Sequence, residues 1–333
     1  MNPTNRALIL GATGGIGGEI ARQLQATGWR VRALSRNAPR HADGLEWIRG
    51  DALDASAVMR ASHDCDVIVH AVNPPGYRRW GELVLPMLDN TIAAARRAGA
   101  LIVLPGTIYN YGPDALPLID EDAPQRPRTR KGAIRVAMED RLHAFAGDGG
   151  RALIVRAGDF FGPRPGNSWF SQGMISAGRP VQRIANPAVA GIGHQWAYLP
   201  DVARVVAALL GRRDELPAFA RFHLAGYWDT DGQGMAQAIA RVVTARTGTA
   251  PRIGGFPWWA LGLAAPFNAT FRELLEMRYL WRTPVRLDNT RLVDFLGHEP
   301  RTPLDEAVEA TLRGIGCLPP AATRPPTASL VSW

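Results

Sequence analysis

The chain has 333 residues, of which 46% are hydrophobic and 20% are charged, a balance that is typical of a globular protein and excludes a disordered or fibrous one. Its net charge of +8 is spread along the chain, so we expect small anionic ligands and neither a nucleic-acid nor a membrane partner. Cys65 and Cys317 lie outside any metal or redox motif, and the N-terminus lacks an apolar secretory segment, which predicts a cytoplasmic protein without a bound metal.

Short apolar runs alternate with helical stretches through the first half of the chain. The predicted strands are Arg6–Leu10, Arg30–Leu34, Asp66–Ala71, Leu101–Leu104 and Arg151–Arg156, and the predicted helices are Gly15–Thr27, Asp54–Ser62, Glu82–Ala98 and Lys131–Phe145. Alternation of this kind predicts an α/β fold of Rossmann type, a doubly wound parallel sheet with right-handed crossovers.

The second half has a looser pattern with Gly- and Pro-rich loops. One more strand and helix are predicted at Trp196–Leu199 and Asp201–Leu210, and later helices at Gln233–Thr247, Phe271–Trp281 and Thr302–Arg313. The chain is therefore expected to form a Rossmann domain of residues 1–160 and 195–230, a smaller C-terminal substrate lobe of residues 161–194 and 231–317, and a disordered tail at 318–333.

A glycine motif, Gly11-Ala-Thr-Gly14-Gly-Ile-Gly17, follows the first strand directly. Glycines at this spacing allow a tight turn, close approach of a pyrophosphate to the backbone, and close packing of the helix on the sheet. A plain turn is the alternative, but the position between a strand and a helix favours a dinucleotide site. Its predicted contacts are Gly11, Thr13, Gly14, Gly15, Ile16 and Gly17.

The end of the second strand indicates which dinucleotide binds. NAD sites usually place a carboxylate there, whereas this chain has Leu34-Ser35-Arg36, with Arg32 nearby. Ser35 and Arg36 can bind a 2′-phosphate, so the sequence predicts NADP(H) over NAD(H), with NAD(H) as the lesser alternative. Arg36 could also stack on the adenine ring instead.

Further motifs connect this site to a known family. They are Arg49-Gly50-Asp51-Ala-Leu-Asp54, Asp66-Val-Ile-Val-His70-Ala71, Tyr111-Gly112-Pro113, Phe161-Gly162-Pro163 and His194-Gln-Trp-Ala-Tyr198-Leu-Pro-Asp201. With the glycine motif, they make residues 6–313 similar to the extended short-chain dehydrogenase/reductase family, of the NAD-dependent epimerase/dehydratase type. The resemblance implies that Asp51 and Ala52 contact the adenine end of the cofactor and that Ala71 and Val72 lie beside the nicotinamide ribose.

The catalytic motif of that family is present only in part. The family uses a Ser or Thr at the end of the fifth strand and a Tyr-x-x-x-Lys on the next helix, where the Tyr transfers a proton and the Lys holds the ribose. Thr107 matches the first element. Aligning the helix on Glu139 places Lys131 at the Tyr position and Arg135 at the Lys position, and this helix contains no Tyr.

Lys131 is the single lysine among 38 lysines and arginines, and lysine, unlike arginine, can release its proton near neutral pH. The segment Lys131-Gly-Ala-Ile-Arg135-Val-Ala-Met-Glu139 resembles the K-x-x-[IV]-R-x-A-x-E segment of isoflavone-reductase-like enzymes, which are NADPH-dependent and exchange protons through a lysine. The resemblance implies that Lys131 is the acid–base residue. Thr129 is a plausible N-cap, and the helix N-terminus with its neighbouring arginines favours loss of the proton. The alternative is a solvated helix-end cation that contacts the cofactor.

Four other side chains are candidate site residues, and each has a structural role as the alternative. Tyr109 follows Thr107 by two residues, so alternation along an extended segment would put both on one side, where Tyr109 either donates a proton or packs. Asn73, Asp159 and His194 are predicted substrate ligands, and a turn, cap or core role is the alternative for each.

These residues together predict an NADP(H)-dependent oxidoreductase that transfers hydride to or from a small or medium carbonyl or conjugated substrate. In this hypothesis Lys131 exchanges the proton, Thr107 orients the substrate oxygen and Arg135 holds the cofactor ribose. One alternative is a sugar-nucleotide epimerase or dehydratase that uses Tyr109, and another is a non-catalytic NADP(H)-binding regulator. A homodimer through Glu82–Ala98 and Lys131–Phe145 is expected by analogy with the family.

Overall fold

The elements follow the predicted alternation in a computed structural model that describes residues 5–37, 44–74, 79–166, 168–267 and 275–319. The strands are β1 (Arg6–Leu10), β2 (Arg30–Ser35), β3 (Glu46–Arg49), β4 (Val67–His70), β5 (Leu101–Gly106), β6 (Leu118–Ile119), β7 (Arg151–Arg156), β8 (Asp159–Phe161), β9 (Arg183–Asn186), β10 (His194–Tyr198), β11 (Phe219–His223), β12 (Tyr227–Asp229), β13 (Arg252–Gly255) and β14 (Arg286–Leu287). The helices are α1 (Gly15–Ala26), α2 (Ala55–Ala61), α3 (Trp80–Ala98), α4 (Arg130–Gly147), α5 (Leu199–Gly211), α6 (Gly234–Thr247), α7 (Trp258–Ala264), α8 (Thr290–Leu296) and α9 (Leu304–Gly314).

Seven strands form one sheet in the order β11-β7-β5-β4-β1-β2-β3, and every neighbouring pair is parallel. The strand order reverses at β1, which pairs with β2 on one side and with β4 on the other. Ligands of open α/β sheets bind at such a reversal, at the carboxyl ends of the strands. The predicted Rossmann-type parallel sheet is confirmed.

Alternating side chains cover both faces of the sheet, as β1 illustrates. Ala7 and Ile9 pack with residues of α1 and α5, whereas Leu8 and Leu10 pack with residues of α2, α3 and α4. All four side chains are buried, which is expected for a parallel strand between two helical layers. This three-layer core fixes the carboxyl ends of the strands that carry the candidate site.

The strand and helix predicted at Trp196–Leu199 and Asp201–Leu210 are present as β10 and α5. β10 lies in a separate three-stranded sheet with β8 and β12, and the edge strand of the large sheet is β11, which was not predicted. An edge strand with the sequence Phe-Ala-Arg-Phe-His has too few apolar residues to stand out as a strand.

A second core lies beneath the small sheet in the C-terminal half. Its residues come from the loop after β8, from β10 and from helices α6 and α9. Leu318, which the prediction placed in the tail, is buried in this core, and residues 320–333 lie outside the described part of the chain. Of the predicted helix Phe271–Trp281, residues 271–274 also lie outside it, and Met277–Trp281 forms a 3-10 turn.

Within the described ranges, no helix is long and apolar enough to cross a membrane. The same residues contain no group of three or more His, Cys, Asp or Glu side chains arranged to hold a metal ion.

Candidate active site

A glycine-rich turn joins β1 to α1 at the carboxyl edge of the sheet. Gly11 has a φ of +95°, and a Cβ there would lie 2.5 Å from the Ala71 carbonyl oxygen, so the turn needs glycine to pass the end of β4. A Cβ on Gly17 would lie 2.3 Å from the Gly11 carbonyl oxygen, so glycine lets α1 pack directly against the strand. Gly14 is the N-cap and contributes no side chain to the first-turn amides of α1. This turn therefore fits a pyrophosphate.

The rest of the predicted pyrophosphate contacts lie in the same turn: Thr13, Gly14, Gly15 and Ile16. Gly15 also has a contact that the sequence did not indicate, since a Cβ there would lie 2.6 Å from the Pro165 carbonyl oxygen. A loop of the second half therefore lies against the start of α1. A cavity of about 500 Å³ between the turn and this loop is lined in part by Arg22 and Arg164. Both arginines share one carboxylate, that of Glu19, at 2.9 and 3.2 Å.

The end of β2 carries Ser35 and the exposed Arg36 at the edge where an adenosine ribose would lie. Ser35 pairs in register with Arg49 of β3, so a second exposed arginine is placed at the same edge. Arg32 is not part of this group, because its Nε donates to Glu46 Oε2 at 2.9 Å. Sequence reasoning missed Arg49 because β3 itself was not predicted.

The turn after β3 holds Asp51 and Ala52 at this edge as well. Asp51 Oδ1 accepts a hydrogen bond from the Leu53 backbone N at 3.0 Å, and the Ala52 carbonyl accepts one from Asn90 Nδ2 at 2.9 Å. The bond from Asn90 fixes the turn to α3.

The end of β4 meets the middle of α4. Ala71 and Val72 are half-buried and continue the strand, and the exposed Asn73 follows them. Asn73 Oδ1 accepts a hydrogen bond from Arg135 Nη2 at 3.2 Å, and the Arg135 guanidinium lies 5.2 Å from the centre of the Trp80 ring. Arg135 is thereby held where the resemblance places the ribose-binding cation. Asn73, predicted to bind substrate, is a partner of Arg135.

His70, just before this segment, is a buried neutral side chain. Its Nδ1 lies 2.8 Å from Thr91 Oγ1 on α3. Burial lowers the pKa of His70 to about 3, and the charge of Arg135 contributes to the same effect. His70 therefore lies near Arg135 as a neutral side chain at neutral pH and adds no second positive charge there.

Lys131 lies in the first turn of α4 and is only 5% exposed. Thr129 is the N-cap, as predicted, and its hydroxyl accepts a hydrogen bond from the Gly132 backbone N at 3.0 Å. Arg135, one turn later, is also buried, so both cations lie on the inner face of the helix. Lys131 is therefore not solvated, and a contact with the cofactor stays the alternative to a role in proton exchange.

The first turn of α4 packs directly on the segment after β5. A Cβ on Gly132 would lie 2.2 Å from the Tyr109 carbonyl oxygen, so glycine is required for this approach. The Thr107 hydroxyl donates to Asn110 Oδ1 at 3.3 Å. Thr107, Tyr109 and Lys131 therefore belong to one small region. The alternation argument for Tyr109 was wrong, however, because Ile108–Asn110 forms a 3-10 turn.

Beneath this region lies a buried ion pair that sequence reasoning missed. Arg156 Nη2 donates to both carboxylate oxygens of Glu139 at 2.8 Å, and Arg156 is 0% exposed. Arg156 also donates to the Thr107 carbonyl and, through Nε, to His223 Nε2 at 3.1 Å. Glu139 had served only to align the helix, and its partner lies 17 residues away on another element. The pair ties α4, β5, β7 and β11 together below the candidate site.

Asp159 and His194, predicted separately as substrate ligands, are brought together. His194 Nε2 lies 2.8 Å from Asp159 Oδ2, and the imidazole stacks on the Trp281 ring with centroids 3.7 Å apart and planes 8° from parallel. His194 is buried, so its ring is held in place on both sides. The role of these two residues as substrate ligands stays a prediction.

The arrangement places a turn that fits a dinucleotide at the ends of β1 and β4 and a buried lysine in the helix next to them. A nicotinamide cofactor on this turn and a buried lysine in a neighbouring helix are the groups that hydride transfer with proton exchange requires.

Comparisons with known proteins agree with this arrangement. The sequence model of the NAD dependent epimerase/dehydratase family matches residues 7–225. A 3-diazoavenalumate denitrifying reductase of a Streptomyces species is 32% identical over 178 residues, which are 48% of this chain and 58% of that protein. A uronate dehydrogenase of Pseudomonas putida is 29% identical over 208 residues, which are 59% of this chain and 76% of that protein. The match thus spans little more than half of the reductase.

A solved structure of UDP-glucose 4-epimerase from Brucella ovis in complex with NAD superposes with a TM-score of 0.72. It covers 94% of this chain and 99% of that chain at 15% sequence identity. At this identity the likeness shows the fold alone.

Proposed function

The chain belongs to the NAD dependent epimerase/dehydratase family, and from that premise we propose that it is an NADP(H)-dependent oxidoreductase with Lys131 as its acid–base group. Its substrate would be a small or medium organic carbonyl or conjugated compound. The observation that carries the proposal is the burial of the single lysine in the first turn of α4, against the segment that holds Thr107 and Tyr109. The names of the two relatives, a reductase and a dehydrogenase, support hydride chemistry.

When bound, the nicotinamide supplies or accepts the hydride. In the reducing direction the Lys131 ammonium would give a proton to the substrate oxygen as the carbonyl is reduced. The Thr107 hydroxyl would orient the oxygen by donating to it in place of Asn110 Oδ1, its acceptor at 3.3 Å in this structure, and the Thr107 backbone is held by Arg156. Arg135, fixed by Asn73 and Trp80, holds the ribose. Lys131 then regains its proton from solvent.

The preference for NADP(H) rests on the charges at the β2 edge. Ser35 and Arg36 end the strand, and Arg49 lies beside Ser35 in register. A 2′-phosphate would accept hydrogen bonds from the Ser35 hydroxyl and from the guanidinium groups. A carboxylate, which would repel that phosphate and bind the ribose hydroxyls of NAD, is absent from positions 35–37.

Lys131→Arg tests the proposal because it keeps the positive charge but introduces a guanidinium, which does not give up a proton near neutral pH. We expect kcat with NADPH and a panel of aldehydes, ketones and enones to fall by about 100-fold or more, since acid–base catalysis contributes about 10²- to 10⁴-fold. The dissociation constant for NADPH should change little. Arg141→Lys, on the exposed face of the same helix, is the matched control and should keep wild-type turnover.

Three results would contradict parts of the proposal. Undiminished turnover of Lys131→Arg would remove the lysine from the mechanism. Equal dissociation constants for NADPH and NADH in the wild type would remove the cofactor preference. Tight NADPH binding without turnover of any panel member would favour the regulator.

A further inference from the structure

Thr107, directly after β5, is held through its side chain and through its backbone. Its hydroxyl donates to Asn110 Oδ1 at 3.3 Å, and its backbone carbonyl accepts from Arg156 Nη1. Glu139 joins the two partners, since its Oε1 accepts from Asn110 Nδ2 and from Arg156 Nη2, each at 2.8 Å. These four residues therefore form a closed ring of hydrogen bonds, referred to below as the Thr107 ring.

Each hydrogen bond of the Thr107 ring has a fixed direction. A guanidinium only donates, and the carboxylate that faces it only accepts. Asn110 therefore turns its Nδ2 toward Glu139, and the second Nδ2 hydrogen goes to Gln125 Oε1 at 2.9 Å. Gln125 cannot reverse its amide either, because its Nε2 donates to Glu139 Oε2 at 2.7 Å. The Asn110 side chain thus has only its oxygen left for the Thr107 hydroxyl, and this oxygen accepts.

The direction of these bonds determines what Thr107 offers to a ligand. A hydroxyl has one hydrogen and two lone pairs, and Asn110 Oδ1 takes the hydrogen of Thr107. Thr107 is half-buried whereas Asn110 is 0% exposed, so a ligand can contact Thr107 but not the amide behind it. As long as the ring is closed, the Thr107 oxygen meets a ligand as a hydrogen-bond acceptor.

A simple carbonyl compound has no hydrogen for this acceptor. Its oxygen can take the Thr107 proton only in place of Asn110 Oδ1, which then stays buried without a donor. A buried polar atom that loses its partner costs the full desolvation of that atom. A substrate that presents a hydroxyl group to Thr107 avoids this loss, because it donates to Thr107 and leaves the ring closed.

The position of that hydroxyl group follows from the proposed function. There the substrate oxygen lies against Thr107 and takes its proton from Lys131. A hydroxyl group on the carbon next to the carbonyl is close to that oxygen, so it is within reach of the same threonine side chain. 2-Hydroxy ketones and 2-hydroxy aldehydes have this arrangement.

We propose that Asn110 is a positioning residue that keeps Thr107 a hydrogen-bond acceptor, and that the site thereby selects carbonyl substrates with a hydroxyl group on the neighbouring carbon. This inference rests on the proposed function, since it names the substrate class of the same site. With such a substrate Thr107 binds the neighbouring hydroxyl and keeps its bond to Asn110, and Lys131 alone gives a proton to the carbonyl oxygen.

The test compares two substrates that differ in one donor hydrogen, the 2-hydroxy and 2-methoxy derivatives of the aldehyde or ketone that the wild type reduces fastest with NADPH. In the wild type, kcat/KM should be higher for the hydroxy compound by about 5- to 150-fold, the effect of leaving one buried acceptor without a donor. Thr107→Val keeps the shape of the side chain but removes the acceptor, so the ratio of the two values should fall close to one. Thr107→Ser keeps the hydroxyl and should retain the wild-type ratio.

Asn110→Ala should give a result that a purely structural residue would not give. Without Oδ1 behind it, the Thr107 hydroxyl is able to donate to the carbonyl oxygen, so kcat/KM for the methoxy compound should rise by about 5-fold or more although the protein loses stability. The control is Thr311→Val in α9, because Thr311 is also 0% exposed and its hydroxyl donates to the Ala307 carbonyl at 2.7 Å. This variant should keep the wild-type ratio.

The outcomes distinguish the inference from the function on which it rests. Equal kcat/KM for the two derivatives in the wild type, a wild-type ratio in Thr107→Val, or turnover of enones alone overturns the role of the Thr107 ring and leaves the oxidoreductase standing. A wild type that oxidises NADPH with no member of the carbonyl and enone panel overturns the proposed function, and the selection by Thr107 with it.

Discussion

Replacing Glu139 with Gln tests whether the buried ion pair stabilises the sheet below the candidate site. The Glu139 carboxylate accepts from Arg156 at 2.8 Å, from Asn110 Nδ2 at 2.8 Å and from Gln125 Nε2 at 2.7 Å. Glutamine has nearly the same volume, so no cavity forms. Its amide is neutral, and one of its two polar atoms would be a donor that faces other donors. Arg156, which is fully buried, would lose the carboxylate that balances its charge.

The size of the effect follows from this burial. Removing one partner of a buried ion pair costs about 3 to 5 kcal/mol, because the remaining charge stays desolvated. With an unfolding entropy of about 2.1 cal/mol/K per residue, 333 residues give about 0.7 kcal/mol/K, so Tm should fall by about 4 to 7 °C. This is large for a substitution that conserves the shape of the side chain.

Calorimetry of wild type and Glu139→Gln measures the shift. The control is Asp305→Asn, which breaks the exposed Arg241–Asp305 pair, with the two atoms 2.7 Å apart, and should lower Tm by about 1 °C or less. Turnover should also fall in Glu139→Gln, because Arg156 donates to the Thr107 carbonyl. If Tm falls by the same amount in Glu139→Gln and in Asp305→Asn, burial does not determine how much an ion pair stabilises this protein, and the reasoning is wrong.

Two further predictions concern packing and pH. Gly132→Ala should lower the free energy of unfolding by about 1 to 3 kcal/mol, because its Cβ would lie 2.2 Å from the Tyr109 carbonyl oxygen. The control is Gly147→Ala on the same helix, whose Cβ meets no atom within 4 Å and which should not destabilise the protein. Equal denaturation midpoints for the two variants would refute this prediction. Burial in the folded protein lowers the pKa of His70 from an ordinary 6.5 to about 3. Its contribution to the free energy of unfolding is therefore present in full above pH 6.5 and is lost as the pH falls toward 3, because the unfolded chain takes up the proton first. Between pH 6.5 and 4.5 the free energy of unfolding, measured by denaturant titration, should fall by about 2 to 3 kcal/mol through His70. This part of the pH dependence should be missing in His70→Gln. The same pH dependence in the variant and the wild type would show that His70 is not held neutral.

The sequence predicted the sheet where its strands are buried on both faces. β1, β4 and β5 are continuous apolar runs, and such runs between helices leave little choice of structure. β3 and β11 were missed because edge strands carry charged residues on the open side, as the two ends of Glu46–Arg49 show. Their place is fixed by pairing with a neighbour, which is tertiary information.

The candidate site divides in the same way. The glycine turn and Lys131 were found because their chemistry depends on spacing along one short segment. Asp159 and His194 were found singly, but their bond joins strands 35 residues apart. Arg156 was missed because nothing near it in sequence marks a function. Only the folded chain brings Arg156 to Glu139.

Stability alone does not explain where the single lysine is placed. Arginine fills every other cationic position, yet Lys131 is buried in the first turn of α4, where the helix dipole disfavours a positive charge. Arg135, one turn later, is buried on the same face of the helix. An apolar side chain there would avoid the cost of burying a charge. A role in the site explains a buried cation in this place better than stability does, because unfavourable groups of this kind are retained mainly at functional sites.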